Sequence, residues 1–248
     1  MKFQIAATLA FVLIAQGAAA QSTGIEFTMG AGAKTSPGYF GDDDQDVAFQ
    51  PYFKLERLQF GGVSVGGGAA SYGLGYHGAF GIVSGRSAAD YSELAGLDSI
   101  DTSLELGAGL HYRTQYLYAY ADARYGVIGH ESAVAEIGAD VTFDLTDKLT
   151  FSAGPRAVWG SDDYSQTYFG VSAAEAAASS FAQFDASQGF VSSGIEAKAT
   201  YQFNDVWGLI GKVRYDVLQG DAADSPISFS DDQLTVGLVL NRKVTFGF

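Results

Sequence analysis

The chain has three histidines, His77, His111 and His130, and no cysteine. His111 stands in TSLELGAGLHYR, on the same alternate-residue face as Glu105 and Arg113. An imidazole between a carboxylate and a guanidinium can serve as a general base, so a Ser–His–acid hydrolase site is one reading of this stretch. A polar network filling a closed interior needs the same residues and is the simpler reading. Carboxylates cluster elsewhere: Asp42, Asp43 and Asp44 in a run, Asp162-Asp163 and Asp231-Asp232 in pairs. Such oxygens could hold Ca²⁺ or Mg²⁺ or attract cationic solutes. They lack the ordered spacing and glycine of an EF-hand loop, and solvated loops at a charged surface are the simpler reading. There is no Walker loop, no H-E-x-x-H and no C-x-x-C, so no cofactor is expected.

The elements that position these residues follow a period of two. TSLELGAGLHYR sets Leu104, Leu106, Ala108, Leu110 and Tyr112 against Ser103, Glu105, His111 and Arg113. YLYAYADARYGV sets Leu117, Ala119, Ala121 and Ala123 against Tyr118, Tyr120, Asp122 and Arg124. Later segments put Glu136, Asp140, Arg156, Glu196, Lys198, Lys212, Arg214 and Asp216 on the polar side. Alternation of this kind is the mark of strands with one apolar face. The segments are about 10–13 residues long, beyond the usual soluble strand and close to the length a tilted strand needs to cross a bilayer. Tight connections are expected at Glu56-Arg57, Thr114-Gln115, Thr146–Lys148 and Asn204-Asp205. Long acidic ones alternate with them.

Lipid offers the backbone no hydrogen-bond partner, so a β-structure in a bilayer must close on itself. The expected fold is therefore all-β: an antiparallel transmembrane β-barrel with short periplasmic turns and long extracellular loops. Its lumen would carry a balanced set of charges: Glu105, Asp122, Glu136, Asp140, Glu196 and Asp216 against Arg113, Arg124, Arg156, Lys198, Lys212 and Arg214. Bacterial barrels of one chain have an even number of strands. About eleven are visible, so about 12 are expected, with 10 as the alternative. The missing strand falls in the glycine-rich stretch 57–86 or in 160–189. Within the latter, VSAAEAAASSFAQF is alanine-rich enough for a short surface helix.

The first 20 residues have a positive start at Lys2, an apolar run and small residues at Ala18 and Ala20. They read as a secretory signal peptide cut between Ala20 and Gln21, leaving 21–248 as the barrel domain. The net charge of −14, from 28 acidic and 14 basic residues, argues against nucleic acid as a partner, because phosphate binding needs a basic surface. The expected location is the outer membrane, with its lipid as one partner. The last strand, LTVGLVLNRKVTFGF, carries Arg242 on its apolar parity. An arginine there belongs near an interface, where it can snorkel.

The terminal aromatics Phe246 and Phe248 resemble the signal by which the barrel-assembly machinery recognises outer-membrane proteins. SPGYFGDDD, LAGLDSIDTSLELGAGLHYR, LTFSAGPRAVWGSDDYSQTYFGVSAAEA and LQGDAADSPI together resemble the MipA/OmpV family of MltA-interacting proteins. The resemblance spans essentially the whole chain after residue 20. It implies a non-enzymatic outer-membrane scaffold that holds a lytic transglycosylase and a murein synthase together, and it brings no catalytic residues. A small channel, a binder of cationic solutes at an acidic mouth, or an adhesin is the alternative.

Overall fold

A computed structural model describes residues 24–60, 63–66 and 72–247. The proposed signal peptide and its cleavage point lie outside the described residues, as does Phe248. Ten long strands and one short one form a single antiparallel sheet. They are β1 (Gly24–Pro37), β2 (Gln45–Phe60), the short β3 (Val63–Gly66), β4 (Gly73–Val83), β5 (Ser103–Arg113), β6 (Leu117–Ile128), β7 (Ala133–Thr146), β8 (Leu149–Gly160), β9 (Gly189–Gln202), β10 (Trp207–Leu218) and β11 (Asp232–Gly247). Their order across the sheet is β3-β2-β1-β11-β10-β9-β8-β7-β6-β5-β4. The first and last strands are thus neighbours, paired from Gly24↔Gly247 to Thr35↔Val236.

Eleven antiparallel strands leave β3 and β4 at the two edges running in the same sense. An all-antiparallel closed barrel requires an even number. The ten long strands meet that condition without β3, since β2 and β4 run in opposite senses. The count of ten, and not twelve, is the one the long strands give. Residues 160–189 contribute no strand between β8 and β9. In the stretch 57–86, only residues 61–62 and 67–71 lie outside the described set.

The sheet is turned inside out relative to a water-soluble fold. Phe49, Leu74 and Tyr76 are 71%, 77% and 86% exposed, while Glu105, Asp140 and Arg156 are 2%, 8% and 5% exposed. Apolar side chains ring the outside of β1, β2, β4–β7 and β9–β11. A continuous apolar belt of this extent does not survive in water, and lipid is the solvent that accepts it.

The two ends of the strands differ. At one end, three connections are closed by a single side chain each. Thr114 Oγ1 accepts from the backbone N–H of Tyr116 and Leu117, at 3.3 and 3.0 Å. Thr146 Oγ1 accepts from Lys148 and Leu149. Asn204 Oδ1 accepts from Val206 and Trp207. These are side-chain substitutes for backbone turns. The expected turn at Glu56-Arg57 is not one. β2 runs straight through it, and the register shift between Glu26 and Phe27 leaves Glu56 as the extra residue of a bulge. Its hydrophilic pair reads like a turn in sequence only because a bulge also interrupts alternation.

At the other end the long connections are not loose solvated loops. Residues 161–188 carry α1 (Asp162–Phe169) and α2 (Ala173–Ala178), and residues 219–231 carry the short α3 (Asp221–Asp224). Ser161 caps α1 by accepting from Tyr164 N–H, and Ser172 with Glu175 forms a capping box on α2. Asp162 and Asp163, candidates for a cation site in sequence, are first-turn residues of α1, where negative charge complements the helix dipole. Tyr164, Tyr168 and Phe169 pack with Val134, Ala186, Val191, Leu218 and Ala222 into a small core of their own, with Phe40 against it. Burying a side chain the size of Phe169, which is 0% exposed, stabilises by roughly 1.5–3 kcal/mol.

Candidate functional site

The inward face of β5–β10 carries a connected chain of ion pairs. Arg124 Nε donates to Glu105 Oε2 at 2.8 Å, and its other nitrogens lie 4.0 Å from Asp122 and 3.7 Å from Glu136. Asp122 and Glu136 sit directly opposite one another on β6 and β7. Two carboxylates so placed repel, and Arg124 between them relieves this. Glu136 also accepts from Tyr120 Oη at 2.6 Å and from Arg214 at 3.3 Å, and Arg214 is held by Asp216 at 2.6 Å. β7 and β10 are three places apart in the sheet, so the Glu136–Arg214 contact crosses the lumen instead of following its wall. Arg156 donates to both oxygens of Asp140, at 2.8 and 3.0 Å, and reaches Glu196 at 3.3 Å. Its guanidinium stands over the Tyr120 ring at 5.5 Å. Lys212 lies 3.6 Å from Glu196.

Three residues of the sequence-derived set sit apart from these pairs. Arg113 stacks on Tyr118 at 4.8 Å. Lys198 has no carboxylate within 4.0 Å among the described residues. His111 does not meet Glu105: its Nδ1 faces His77 Nδ1 at 3.2 Å, and His77 Nε2 lies 2.8 Å from Asp122. Among the described residues no hydrogen bond joins His111 to a serine. One G-x-S-x-G spacing, Gly62 to Gly66, escapes the motif reading of the sequence. Val63–Gly66 is strand β3, whereas that motif works only on a strand-to-helix turn.

Glu105 instead meets His130, which the sequence did not single out. His130 Nε2 is 3.1 Å from Glu105 Oε1, and its Nδ1 is 2.6 Å from Ser132 Oγ and accepts from Ser132 N–H at 3.1 Å. Nδ1 therefore acts as acceptor and Nε2 carries the proton toward Glu105. The turn that places His130 has Gly129 at φ 90° and Glu131 at φ 47°. A Cβ on Gly129 would strike Ser103, whose Oγ accepts from His130 N–H at 3.1 Å and lies 3.0 Å from Tyr168 Oη. Tyr164 and Tyr168 cover the imidazole edge-on, at 5.1 and 5.6 Å. Ser132, His130 and Glu105 thus form a hydrogen-bonded chain, all three buried beneath the cap.

Within the cap, the acidic run is used locally. Asp42 is buried and accepts from the N–H of Gly38 and Asp44, at 3.1 and 3.0 Å. Burial outweighs these donors and raises its carboxyl above the usual range. Asp43 and Asp44 are exposed beside it. Arg86 is buried under Tyr39, 5.8 Å from that ring, and burial lowers its guanidinium to about 10. On β11, Arg242 is exposed and stacks over Trp207 at 5.5 Å. Phe246 is 51% exposed, 6.0 Å from Phe27.

An antiparallel sheet with lipid-facing apolar residues outside and ion pairs inside is a transmembrane β-barrel of the outer-membrane kind. The chain belongs to the MipA family, whose model, MltA-interacting protein MipA, matches residues 29–244. It is 24% identical over 245 residues to the MltA-interacting protein of Escherichia coli strain K12, covering 96% of each chain, and equally to that of Shigella flexneri. Among solved structures, it resembles the COG4313 outer membrane channel from Pseudomonas putida F1, with 15% identity, TM-score 0.46 and coverage of 95% of this chain and 100% of that one. Neisserial surface protein A is also similar, at 10% identity, TM-score 0.27 and coverage of 90% and 97%.

Proposed function

We propose that this chain is a non-catalytic outer-membrane barrel that docks murein-remodelling enzymes on its short-turn rim. The relatives' name supplies the first partner, a lytic transglycosylase of the MltA kind; a murein synthase is the second. Outer-membrane lipid surrounds the belt, and the segment that carries Phe246 and Phe248 is the one offered to the assembly machinery. The observation that carries the docking reading is a set of apolar side chains left exposed on the short turns. At the short-turn end, Tyr116, Leu145, Phe203 and Val206 stay 58%, 60%, 45% and 40% exposed. Exposed aromatic and aliphatic anchors on rigid turns suit a protein interface.

The test is a crosslinked pull-down of the tagged protein from intact envelopes, with captured proteins identified by mass spectrometry. A murein hydrolase of the MltA kind is expected, and Tyr116→Ser with Phe203→Ser abolishes its capture while the barrel still assembles. Capture of assembly factors and lipopolysaccharide alone, or capture indifferent to those changes, overturns the reading.

A further inference from the structure

The pairing register places three lysines on one rung of the inward face. Lys34 of β1 is opposite Gly237 of β11, Gly237 is opposite Lys212 of β10, and Lys212 is opposite Lys198 of β9. The rung continues to Ser152 of β8. No carboxylate lies on it. Like charges directly across a sheet are destabilising, and this chain has only 14 basic residues against 28 acidic ones. The acid nearest the rung is Glu196, two residues along β9, and it is shared between Lys212 at 3.6 Å and Arg156 at 3.3 Å. Among the described residues neither Lys34 nor Lys198 has a carboxylate partner.

A cavity of about 220 Å³ opens on this rung, lined by Lys198, Lys212 and Glu196 on one side and Gln50, Tyr52 and Gly237 on the other. Gly237 lets the Gln50 side chain lie against β11: a Cβ there would strike its amide. Gln50 Oε1 is buried with no hydrogen-bond partner among the described residues. A buried acceptor left unmade costs about 1–3 kcal/mol, so the site is short of one donor and has an excess of positive charge.

We infer that the rung is an anion-binding subsite in the lumen, taking a small carboxylate or phosphate that also carries a hydroxyl. Lys198 and Lys212 bracket the oxyanion, Lys34 adds to the field, and the hydroxyl donates to Gln50 Oε1. An anion there converts the repulsion along the rung into attraction. The inference stands apart from the docking reading, since it concerns the lumen and not the rim.

The probes are inorganic phosphate and malate, titrated calorimetrically at low salt into the full-length folded barrel in neutral detergent. Saturable binding of at least one probe is expected. Lys198→Gln and Lys212→Gln each weaken it at least tenfold, whereas Lys148→Gln, on a turn at the rim, leaves it unchanged. Lys198→Gln relieves a repulsion, and Lys212→Gln leaves Glu196 its Arg156 partner, so both should fold; heat-modified gel mobility verifies this. Two results overturn the inference: no saturable binding of either probe by the folded wild type, or equal weakening by Lys148→Gln.

Discussion

Glu105 Oε1 and His130 Nε2 meet at 3.1 Å in a place closed to solvent, with the Glu105 side chain 2% and the His130 side chain 0% exposed. Glu105 is the joint between two parts of the molecule. Its other oxygen holds Arg124 of the lumen network, and through His130 it reaches Ser132 and the tyrosines of the cap. A buried pair adds little over apolar packing, but removing one partner strands the other charge. Glu105→Ala is therefore expected to lower stability by about 3–5 kcal/mol. Glu105→Gln, which keeps one acceptor oxygen, should cost less. The check is the urea midpoint in lipid vesicles, read by fluorescence of Trp159 and Trp207. An unchanged midpoint for Glu105→Ala would remove this joint from the account.

Phe169 separates the cap from the barrel experimentally. It is fully buried in the cap core, whose strand members Val134, Val191 and Leu218 are themselves buried. Phe169→Ala should destabilise the cap by about 3–5 kcal/mol, the usual cost of emptying a buried aromatic site. The expected readout is protease cleavage within residues 161–188 with the barrel itself still heat-modifiable on a gel. Loss of the barrel together with the cap would mean that the two form one cooperative unit.

The cap should open in alkali. Burial pushes the Tyr168 hydroxyl up to about 12, and burial pushes Tyr39, Tyr91 and Tyr164 higher still, with neighbouring acids adding to it. In the unfolded chain these phenols ionise near 10. Above that pH the unfolded cap sheds protons that the folded cap retains, so stability falls as pH rises from about 10 to about 12. Arg86 acts in the opposite sense: lowered to about 10 by burial, it can shed its proton in the folded cap first, which favours folding over the same range. Four tyrosines outweigh one arginine. The part of the tyrosinate absorbance that comes from these four cap tyrosines should rise in a single cooperative step above pH 10, coincident with protease sensitivity. Independent titration of the tyrosines with the cap intact contradicts this.

The strands were legible because their signal is local. Period-two alternation needs only neighbouring residues, and it marked the inward positions of Glu105, Asp122, Glu136, Asp140, Arg156 and Glu196 without knowledge of the fold. Of the cap, only the helix α2 in the alanine-rich stretch was legible; the rest was not, for the opposite reason. Tyr164, Tyr168 and Phe169 do form one apolar stripe behind the Ser161 cap, but their partners Val134, Val191 and Leu218 come from three strands, β7, β9 and β10. His130 was missed because its burial depends on the left-handed backbone at Gly129 and Glu131. Glu56-Arg57 misled because polar residues interrupt alternation alike at a turn and at a bulge. The lysine rung depended on register, and register across four strands is not written in any one of them.

Depth in the bilayer yields the last prediction. β11 alternates outward Leu234, Val236, Leu238, Leu240 and Arg242 with inward Gln233, Gly237, Val239 and Asn241. Arg242 breaks the apolar series, yet it pairs in register with Trp207, the first residue of β10, and stacks on its ring. That is an interfacial position, where an arginine costs about 0–1 kcal/mol. Leu238 lies further from the short-turn end, opposite Gly211, where the same side chain faces hydrocarbon at about 2–4 kcal/mol. Arg242→Leu should therefore shift the unfolding free energy in vesicles by less than about 1 kcal/mol, and Leu238→Arg should lower it by about 2–4 kcal/mol. Equal effects at both sites would mean that the outward face of β11 does not span a lipid gradient, and the membrane placement of the whole barrel would fall with it.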